Sequence, residues 1–380
     1  MPKKILYSCL SRSWGGMEMR TISGIEQLHK RGIKTDLLCY PGSRIHEEGM
    51  KRGYNILTAN VRGYFHPLEI VKIARKIKTF DYEIIHTQAS QDLWLLVPAL
   101  NLIGSEIPLV LTKRVGSFIV KKDLLHRKLY ERITSTIAIS EVIRKNLLDT
   151  TTLTEDKIFL LHNGVNLEKF NPAKSARGEV RREFDINAND IVIGMLGRFS
   201  WGKGHEEFMF AAKKLLSDFS NLKFLVVGEP SMGEDDYAAK IKNLAAEYNL
   251  KGALLFTGYR SDTPDIISAM DIFAFPSHSE AFGQALVEAM AMGIPSVCSN
   301  SDGVLDIAID GVTSHLFERR SAEDFTAKLK LLVNSPEDRK KFGAASIERV
   351  GKHFELEKQT DKLIEFYKRL VERIPITTKL

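Results

Sequence analysis

Ile272-Phe273-Ala274-Phe275-Pro276-Ser277-His278-Ser279-Glu280-Ala281-Phe282-Gly283-Gln284-Ala285-Leu286-Val287-Glu288-Ala289-Met290 is the stretch on which the fold turns. It opens with a short apolar run that suits a buried strand, breaks at Pro276-Ser277, and resumes near Gln284 with helical spacing. A strand followed by a loop and a helix, with no hairpin turn between them, is the repeating unit of a parallel sheet with crossover helices. The fold class that follows is α/β.

Outward from this segment the same unit recurs. Upstream, strands are expected at 4–9, 35–40, 82–86, 109–112, 135–139 and 158–161, with helices at 18–31, 67–79, 123–133 and 141–147. Asn163-Gly164-Val165-Asn166 is a turn signal, Asn171-Pro172 is a breaker, and residues 174–185 are polar and charged. A second series then begins, with strands at 191–196, 222–227, 254–257, 272–275 and 296–299. Its helices are expected at 205–219, 237–248, 263–270, 284–292, 322–334 and 336–348, and a last amphipathic helix covers 356–374. Two doubly wound, Rossmann-like domains are therefore expected, 1–172 and 173–355, facing each other across a cleft. Sheets of this kind bind ligands at the carboxyl ends of their strands.

A chain of 380 residues is long for a single hydrophobic core, which agrees with two domains. With 44% hydrophobic and 27% charged residues the composition is that of a soluble globular protein. The apolar run after Met1 is too short and interrupted for a signal peptide, and no stretch approaches the ~20 apolar residues that span a bilayer. Cys9, Cys39 and Cys298 have no ligand-like spacing and read as buried free thiols in a reducing cytosol. The net charge of +6 divides into +9 over residues 1–172 and −3 over the remainder. Such an excess either solubilises the N-terminal half or draws it to anionic lipid or a phosphorylated acceptor. Nucleic acid is not expected, because no aromatic-basic module accompanies the charge.

Two carboxylates, Glu280 and Glu288, flank the helix start in the opening segment. Amides from Phe282, Gly283, Gln284 and Ala285 would point out of that helix N-terminus, which suits a diphosphate. Glu288, just over one turn in, can lean back toward the same opening, where a carboxylate suits a ribose diol. In the alternative reading Glu280 caps the helix and Glu288 is solvated. Against this, Glu288 lies between Leu286-Val287 and Ala289-Met290, where an unpartnered carboxylate is costly.

Gly197-Arg198-Phe199-Ser200-Trp201-Gly202-Lys203-Gly204 follows an apolar strand and precedes a helix. Arg198 as a fork and Lys203 as a point charge can converge on one polyphosphate. The spacing is neither a P-loop nor the dinucleotide glycine fingerprint. In the first domain Trp14-Gly15-Gly16-Met17-Glu18 joins strand to helix. Gly15 and Gly16 allow close backbone approach to an anion, or simply form a tight turn. His86 is expected at a strand end facing the cleft, as a functional group or a satisfied polar residue.

Taken together these residues resemble the large group of retaining GT-B glycosyltransferases that build lipopolysaccharide, capsule, glycolipid and sucrose-type products. The resemblance spans essentially the whole chain. It is carried by Gly15-Gly16, the strand ending at His86, Ser140-Glu141, Asn163-Gly164, Gly197-Arg198 with Lys203-Gly204, Val227-Gly228, Gly258-Tyr259-Arg260, Asp271 with Pro276-Ser277, and the Glu280/Glu288 pair. It implies Glu288 on the nucleotide ribose, Arg198 and Lys203 on the diphosphate, and Glu280 by the donor sugar with the amides near Phe282 and Gly283. Gly16 would approach the phosphates, Gly258, Tyr259 and Arg260 would border the base, and the terminal helix, 356–380, would pack back onto the first domain. Catalysis would rest on Glu280, Arg198, Lys203 and His86.

Two departures stand out. Ala281 replaces the first glycine of the family's Glu-Gly-Phe-Gly, and Lys113-Arg114 stand where many relatives carry a histidine. These two cations would meet phosphate on donor or acceptor; some lipopolysaccharide-building relatives look similar at this segment, which favours a cell-envelope acceptor. The expected protein is a cytoplasmic enzyme at the inner face of the cell membrane, transferring sugar from a UDP-linked donor to a cell-envelope saccharide or lipid-linked acceptor, with anionic membrane contacted through its basic domain. No cofactor is expected beyond the nucleotide-sugar substrate. No metal is expected either, since no Asp-x-Asp pair falls at a cleft-facing strand end. The competing readings are a nucleotide-sugar epimerase or hydrolase of the same fold, and a non-catalytic glycan-binding or nucleotide-sugar-binding protein.

Overall fold

The computed structural model describes residues 2–231 and 233–374. It divides into two compact units, residues 1–162 with 357–380, and residues 163–356. Among the described residues the first unit has seven strands: β1 Lys4–Cys9, β2 Lys34–Cys39, β3 Ile56–Thr58, β4 Ile84–Thr87, β5 Leu109–Lys113, β6 Ser135–Ala138 and β7 Ile158–Leu160. Their order is β3-β2-β1-β4-β5-β6-β7, every pair parallel. The second unit has β8 Ile191–Leu196, β9 Leu222–Val227, β10 Leu254–Gly258, β11 Ile272–Phe275, β12 Ser296–Ser299 and β13 Ser314–Phe317. They stand in the order β10-β9-β8-β11-β12-β13, again all parallel.

Each sheet is thus wound outward twice from its first strand. The direction of winding reverses between β1 and β4 in one unit and between β8 and β11 in the other. Loops leaving the carboxyl ends of these paired strands diverge to opposite faces, which opens a crevice above the sheet. The loops carrying Arg198 and Glu280 leave β8 and β11, so the topology places both at one switch point.

Several elements escaped the sequence pattern. β3 has three residues and β13 reads Ser-His-Leu-Phe, each too short or too mixed to set a period of two. The helix Leu93–Leu102 is apolar on all sides and contains Pro98; six of its residues are buried, so it has no polar face to reveal it. Residues 174–185 are not a bare linker. They hold the helix Arg177–Glu183, whose Arg177 and Arg181 reach the Asp271 carboxylate at 2.7 and 3.2 Å. Asp271 also accepts from the Val192 amide at 2.8 Å, so it ties this helix to the amino ends of β8 and β11.

The division between units falls at His162/Asn163, ten residues before the expected boundary at 172. Val165 explains the shift: its amide donates to the Phe354 carbonyl at 2.7 Å, and its carbonyl accepts from Leu356 at 2.9 Å. Gly164 lies so close that a Cβ there would sit 2.5 Å from Leu356 Cα. The terminal helix, Leu356–Val371, sends Phe366, Tyr367 and Leu370 into the core of the first unit, with Phe366 stacked on Phe159 at 4.8 Å. Residues 375–380, part of the expected 356–380 helix, lie outside the described residues.

Candidate functional site

In the second unit the loops leaving β8 and β11 are fastened to each other. Gly204, with φ +79°, has no room for a side chain: a Cβ would sit 2.3 Å from the Pro276 carbonyl oxygen. The His278 amide donates to the Gly202 carbonyl at 2.8 Å. Lys203 Nζ reaches Glu280 Oε1 at 2.5 Å, with 28% and 15% of the two side chains exposed. The loop after β9 is joined in the same way. Gly228, with φ +136°, would place a Cβ 2.0 Å from the Gly197 carbonyl oxygen, and its amide donates to Gly258 at 3.0 Å. These glycines are where backbones meet, a physical reason for them that spacing alone does not provide.

The expected site residues fall as follows. Arg198 is 63% exposed and touches Ser231 Oγ at 3.3 Å, with Glu234 at 3.9 Å. Gly283, at φ +116°, precedes the helix Gln284–Ala291, whose first amides have no carbonyl in a preceding turn. Gln284 Nε2 donates to Glu288 Oε1 at 3.1 Å, so Glu288 has a partner on its own helix. Phe282 is buried and edge-on to Phe354 at 5.9 Å, anchoring the loop. Ala281 is absent from the positive-φ residues, so its backbone is one that alanine adopts without strain. Glu280 and Lys203, expected on sugar and diphosphate separately, are paired with one another. Arg260, expected beside the base, is clamped by Glu183 and by Asp262, the latter at 2.6 Å. Tyr259, beside it, is 70% exposed at the end of β10.

Three supporting residues had no signal in the sequence. His278 Nε2 lies 2.6 Å from Glu207 Oε1, behind the Gly202 turn, and so braces the loop that carries Lys203. Gly303 donates to the Glu280 carbonyl at 3.0 Å, and a Cβ there would lie 2.7 Å from both Ala281 O and Phe282 Cα. His205 is fully buried and stacked on Phe199 at 4.7 Å; burial pushes its imidazole down to about 4.

In the first unit the Gly15 amide is taken by Glu18 Oε2 at 2.9 Å, so the helix Gly16–Lys30 already has a carboxylate at its start. Gly16 is open: a Cβ there would meet nothing within 4 Å. His86 does not face solvent. It is 2% exposed, bonded through Nδ1 to the Tyr367 hydroxyl and through Nε2 to Thr112 Oγ1 at 2.7 Å. Burial, with Arg114 nearby, lowers its pKa to about 3, so the expected cleft-facing group is a neutral core residue.

Lys113 and Arg114 stand at the end of β5 and are largely withdrawn from water. Burial lowers Lys113 to about 8, its ammonium 3.3 Å from Ser90 Oγ, and lowers Arg114 to about 10. Arg114 Nη2 donates to Gln88 Oε1 at 2.9 Å. Beside them Asp92, unremarked in the sequence, is buried at the switch point. It accepts from Ser8 Oγ at 2.7 Å, Thr87 Oγ1 at 3.0 Å and the Leu10 amide at 3.3 Å, while burial raises it to about 6. A cavity of about 480 Å³ opens here, lined among others by Ser11, Arg12, Ser13, Arg62, His66 and Asp92. Two guanidiniums and hydroxyls around one concavity can receive an anionic, hydroxyl-bearing ligand. The three cysteines are buried free thiols, each pushed up to about 12 by burial. Among the described residues no group of three or more His, Cys, Asp or Glu could hold a metal ion, and no helix is long and apolar enough to cross a membrane.

Comparison with known proteins follows the two units. The family model described as glycosyl transferases group 1 matches residues 176–349, and that described as glycosyltransferase family 4 matches 14–169. The chain is 25% identical to the UDP-Gal:alpha-D-GlcNAc-diphosphoundecaprenol alpha-1,3-galactosyltransferase of Escherichia coli, with 96% of each chain covered. It is 29% identical to the capsular polysaccharide biosynthesis glycosyltransferase CapM of Staphylococcus aureus over 58% of each chain. Among solved structures, a glycosyltransferase from Rickettsia africae superposes with a TM-score of 0.88 at 24% identity, covering 97% of this chain and 98% of that one.

Proposed function

This chain belongs to the group 1 glycosyltransferases of GT-B fold, and from that premise we propose that it transfers a sugar from a UDP-linked donor to a phosphate-bearing, lipid-linked saccharide of the cell envelope, with retention at the anomeric carbon and without a divalent metal. The observation that carries this reading is the Lys203–Glu280 pair, 2.5 Å apart at the mouth of the helix Gln284–Ala291, with Arg198 on the neighbouring loop.

The reaction must stabilise the charge that develops on a departing nucleoside diphosphate. The loop backbones that carry Lys203 and Arg198 are held by the Gly204–Pro276 and Gly228–Gly197 contacts, so both cations and the first-turn amides start from positions already close to where that charge forms. A diphosphate arriving here shares the Lys203 ammonium with Glu280, leaving the Glu280 carboxylate beside the donor sugar. Glu288 faces the nucleotide ribose. The bond from the anomeric carbon to the diphosphate oxygen breaks, and the acceptor hydroxyl oxygen bonds to that carbon on the same face. The hydroxyl proton passes to the departing phosphate oxygen. Fixed cations supply the charge neutralisation that a metal would otherwise provide.

On the acceptor side the cavity with Arg12, Arg62 and His66 supports an anionic acceptor. The Escherichia coli relative, matched over 96% of each chain, is named for a UDP-Gal donor and a diphosphoundecaprenol-linked acceptor, and CapM for capsular polysaccharide. Both names favour the cell envelope, and with it action at the inner face of the membrane. Calorimetry with UDP, GDP and ADP, then NMR of the product formed on a lipid-diphosphate saccharide with and without chelator, tests each part. No affinity for any nucleoside diphosphate overturns the donor site. An inverted anomeric centre or loss of turnover with chelator overturns the mechanism.

A further inference from the structure

We propose that a small pocket of the first unit, beside the cavity of Arg12, Arg62 and His66, binds a second sugar of the acceptor, one that carries a negative charge. The proposal rests on the reading of the acceptor as a saccharide and adds a requirement on the sugar next to the one that is extended. The pocket has a volume of about 160 Å³ and is lined among others by Tyr64, Ser90, Trp94, Lys121, His126 and Tyr130. That is room for about five waters, or for one six-membered sugar ring. Gln91 and Trp94 line both this pocket and the larger cavity, so one saccharide can extend from the first into the second.

Aromatic rings form one corner of the pocket. Trp94 lies 5.0 Å from Tyr64, tilted by 51°, and 5.4 Å from His126, nearly at right angles. Tyr64 is 64% exposed, so this corner offers ring surface to a ligand instead of filling a core. The carbon–hydrogen face of a pyranose is apolar and packs on such rings, while its hydroxyls point to polar groups around them. The corner is preset. His126 Nδ1 lies 2.5 Å from Asp123 Oδ2, and the amides of Leu125 and His126 donate to Asp123 Oδ1, each at 3.2 Å. The Lys121 amide donates to the Thr150 carbonyl at 2.6 Å, which fixes the loop on its other side.

The polar wall lacks partners. Tyr130 is 2% exposed and its hydroxyl makes no hydrogen bond, although Ser90 is near enough to act on it electrostatically. Ser90 Oγ instead faces the Lys113 ammonium at 3.3 Å. A buried hydroxyl left without a partner is costly, and a ligand oxygen at this wall would supply one. Burial pushes the Tyr130 hydroxyl up to about 12, so it keeps its proton and can donate it. Burial also lowers Lys121 from its ordinary value, and the Lys121 charge helps to lower Lys113, which places the two ammoniums near each other. Among the described residues no carboxylate offsets either charge. Arg114 belongs to a different group, turned toward Gln88. A bare anion would satisfy the two ammoniums and leave the aromatic corner idle. A neutral sugar would cover the rings and leave the charge unmatched. A sugar bearing a carboxylate or phosphate meets both.

The test is titration of the full chain, followed by saturation-transfer NMR, with methyl glucuronide, glucose 6-phosphate, methyl glucoside and inorganic phosphate. At least one of the two acidic sugars is expected to bind roughly tenfold more tightly than both the glucoside and phosphate, and the better of the two identifies the acidic group. Tyr130→Phe and Lys121→Gln are each expected to lower that affinity by roughly tenfold, with UDP affinity unchanged. Tyr130→Phe should do so without loss of melting temperature, since its hydroxyl has no partner to lose. Phosphate binding as tightly as the acidic sugars, or the glucoside doing so, overturns the proposal. So does unchanged affinity in either variant, or no binding of either acidic sugar at millimolar concentrations. UDP is titrated in parallel: its failure to bind counts against the donor reading alone, and failure of the sugars against this pocket alone.

Discussion

Lys203 Nζ and Glu280 Oε1 are 2.5 Å apart, although 77 residues separate them in the chain. The pair joins the loops of β8 and β11 at the point where the second sheet reverses its winding. It thus brings the cation and carboxylate of the proposed donor site into one contact. For a partly exposed pair the contribution to stability is modest, about 1 kcal/mol or less. Its main consequence is placement.

Lys203→Ala and Arg198→Ala are therefore expected to lower transfer by roughly 10² to 10³ each, while far-UV dichroism and melting temperature stay close to the parent. Steady-state rates on a UDP-sugar, with the unfolding curve taken alongside, check this. Near-normal rates in both variants would remove the phosphate role from these side chains.

Gly228→Ala tests the backbone contact that sets the neighbouring loop. The added methyl would lie 2.0 Å from the Gly197 oxygen at φ +136°, so strain and displacement act together. A loss of roughly 3 kcal/mol or more is expected, with donor affinity falling as well. Ala281→Gly is the contrasting case, since Ala281 has no positive φ. It should cost less than about 1 kcal/mol. Denaturant titration of both variants separates the two outcomes.

Acid should weaken the fold through its buried imidazoles. His86 and His205 titrate in the folded chain at about 3 and about 4, against an ordinary 6.5, because burial disfavours their charged forms. The unfolded chain then binds more protons below pH 6.5, so stability present above that value is lost as pH falls toward the folded values. Each group contributes a slope of about 1.4 kcal/mol per pH unit within its window. Asp92, raised to about 6, acts in the opposite sense between there and its ordinary 3.8. His205→Phe, which preserves the stack on Phe199, should flatten the dependence between pH 6.5 and about 4 relative to the parent. Unchanged slopes in denaturation series across that range would contradict the burial argument.

Tyr367→Phe probes the terminal helix. The hydroxyl meets Tyr7 at 2.9 Å and His86 Nδ1, both buried, so its removal leaves two polar atoms short of a partner. A loss of about 1 to 3 kcal/mol is expected. Truncation after Glu355 should be far worse, because it also strips Phe366 and Leu370 from the core of the first unit. Thermal unfolding of both forms measures the difference.

Periodicity and turn chemistry were enough to read eleven of the thirteen strands among the described residues, the parallel α/β class, the loops that hold Arg198, Lys203 and Glu280, and the helix that holds Glu288, because each is a local property of neighbouring residues. β3, β13 and the helices Leu93–Leu102 and Arg177–Glu183 were not legible, being too short, too apolar or too charged to show a period. Partnership was invisible for a different reason. That Glu280 meets Lys203, that Arg260 is held by Glu183 and Asp262, that His86 is locked by Tyr367 across 281 residues, and that Asp92 is buried at the crevice are facts about distance after folding. A sequence specifies which groups are available and which local shapes they take. Which of those groups touch, and which are withdrawn from water, depends on strand order, and strand order is decided only when the sheets close.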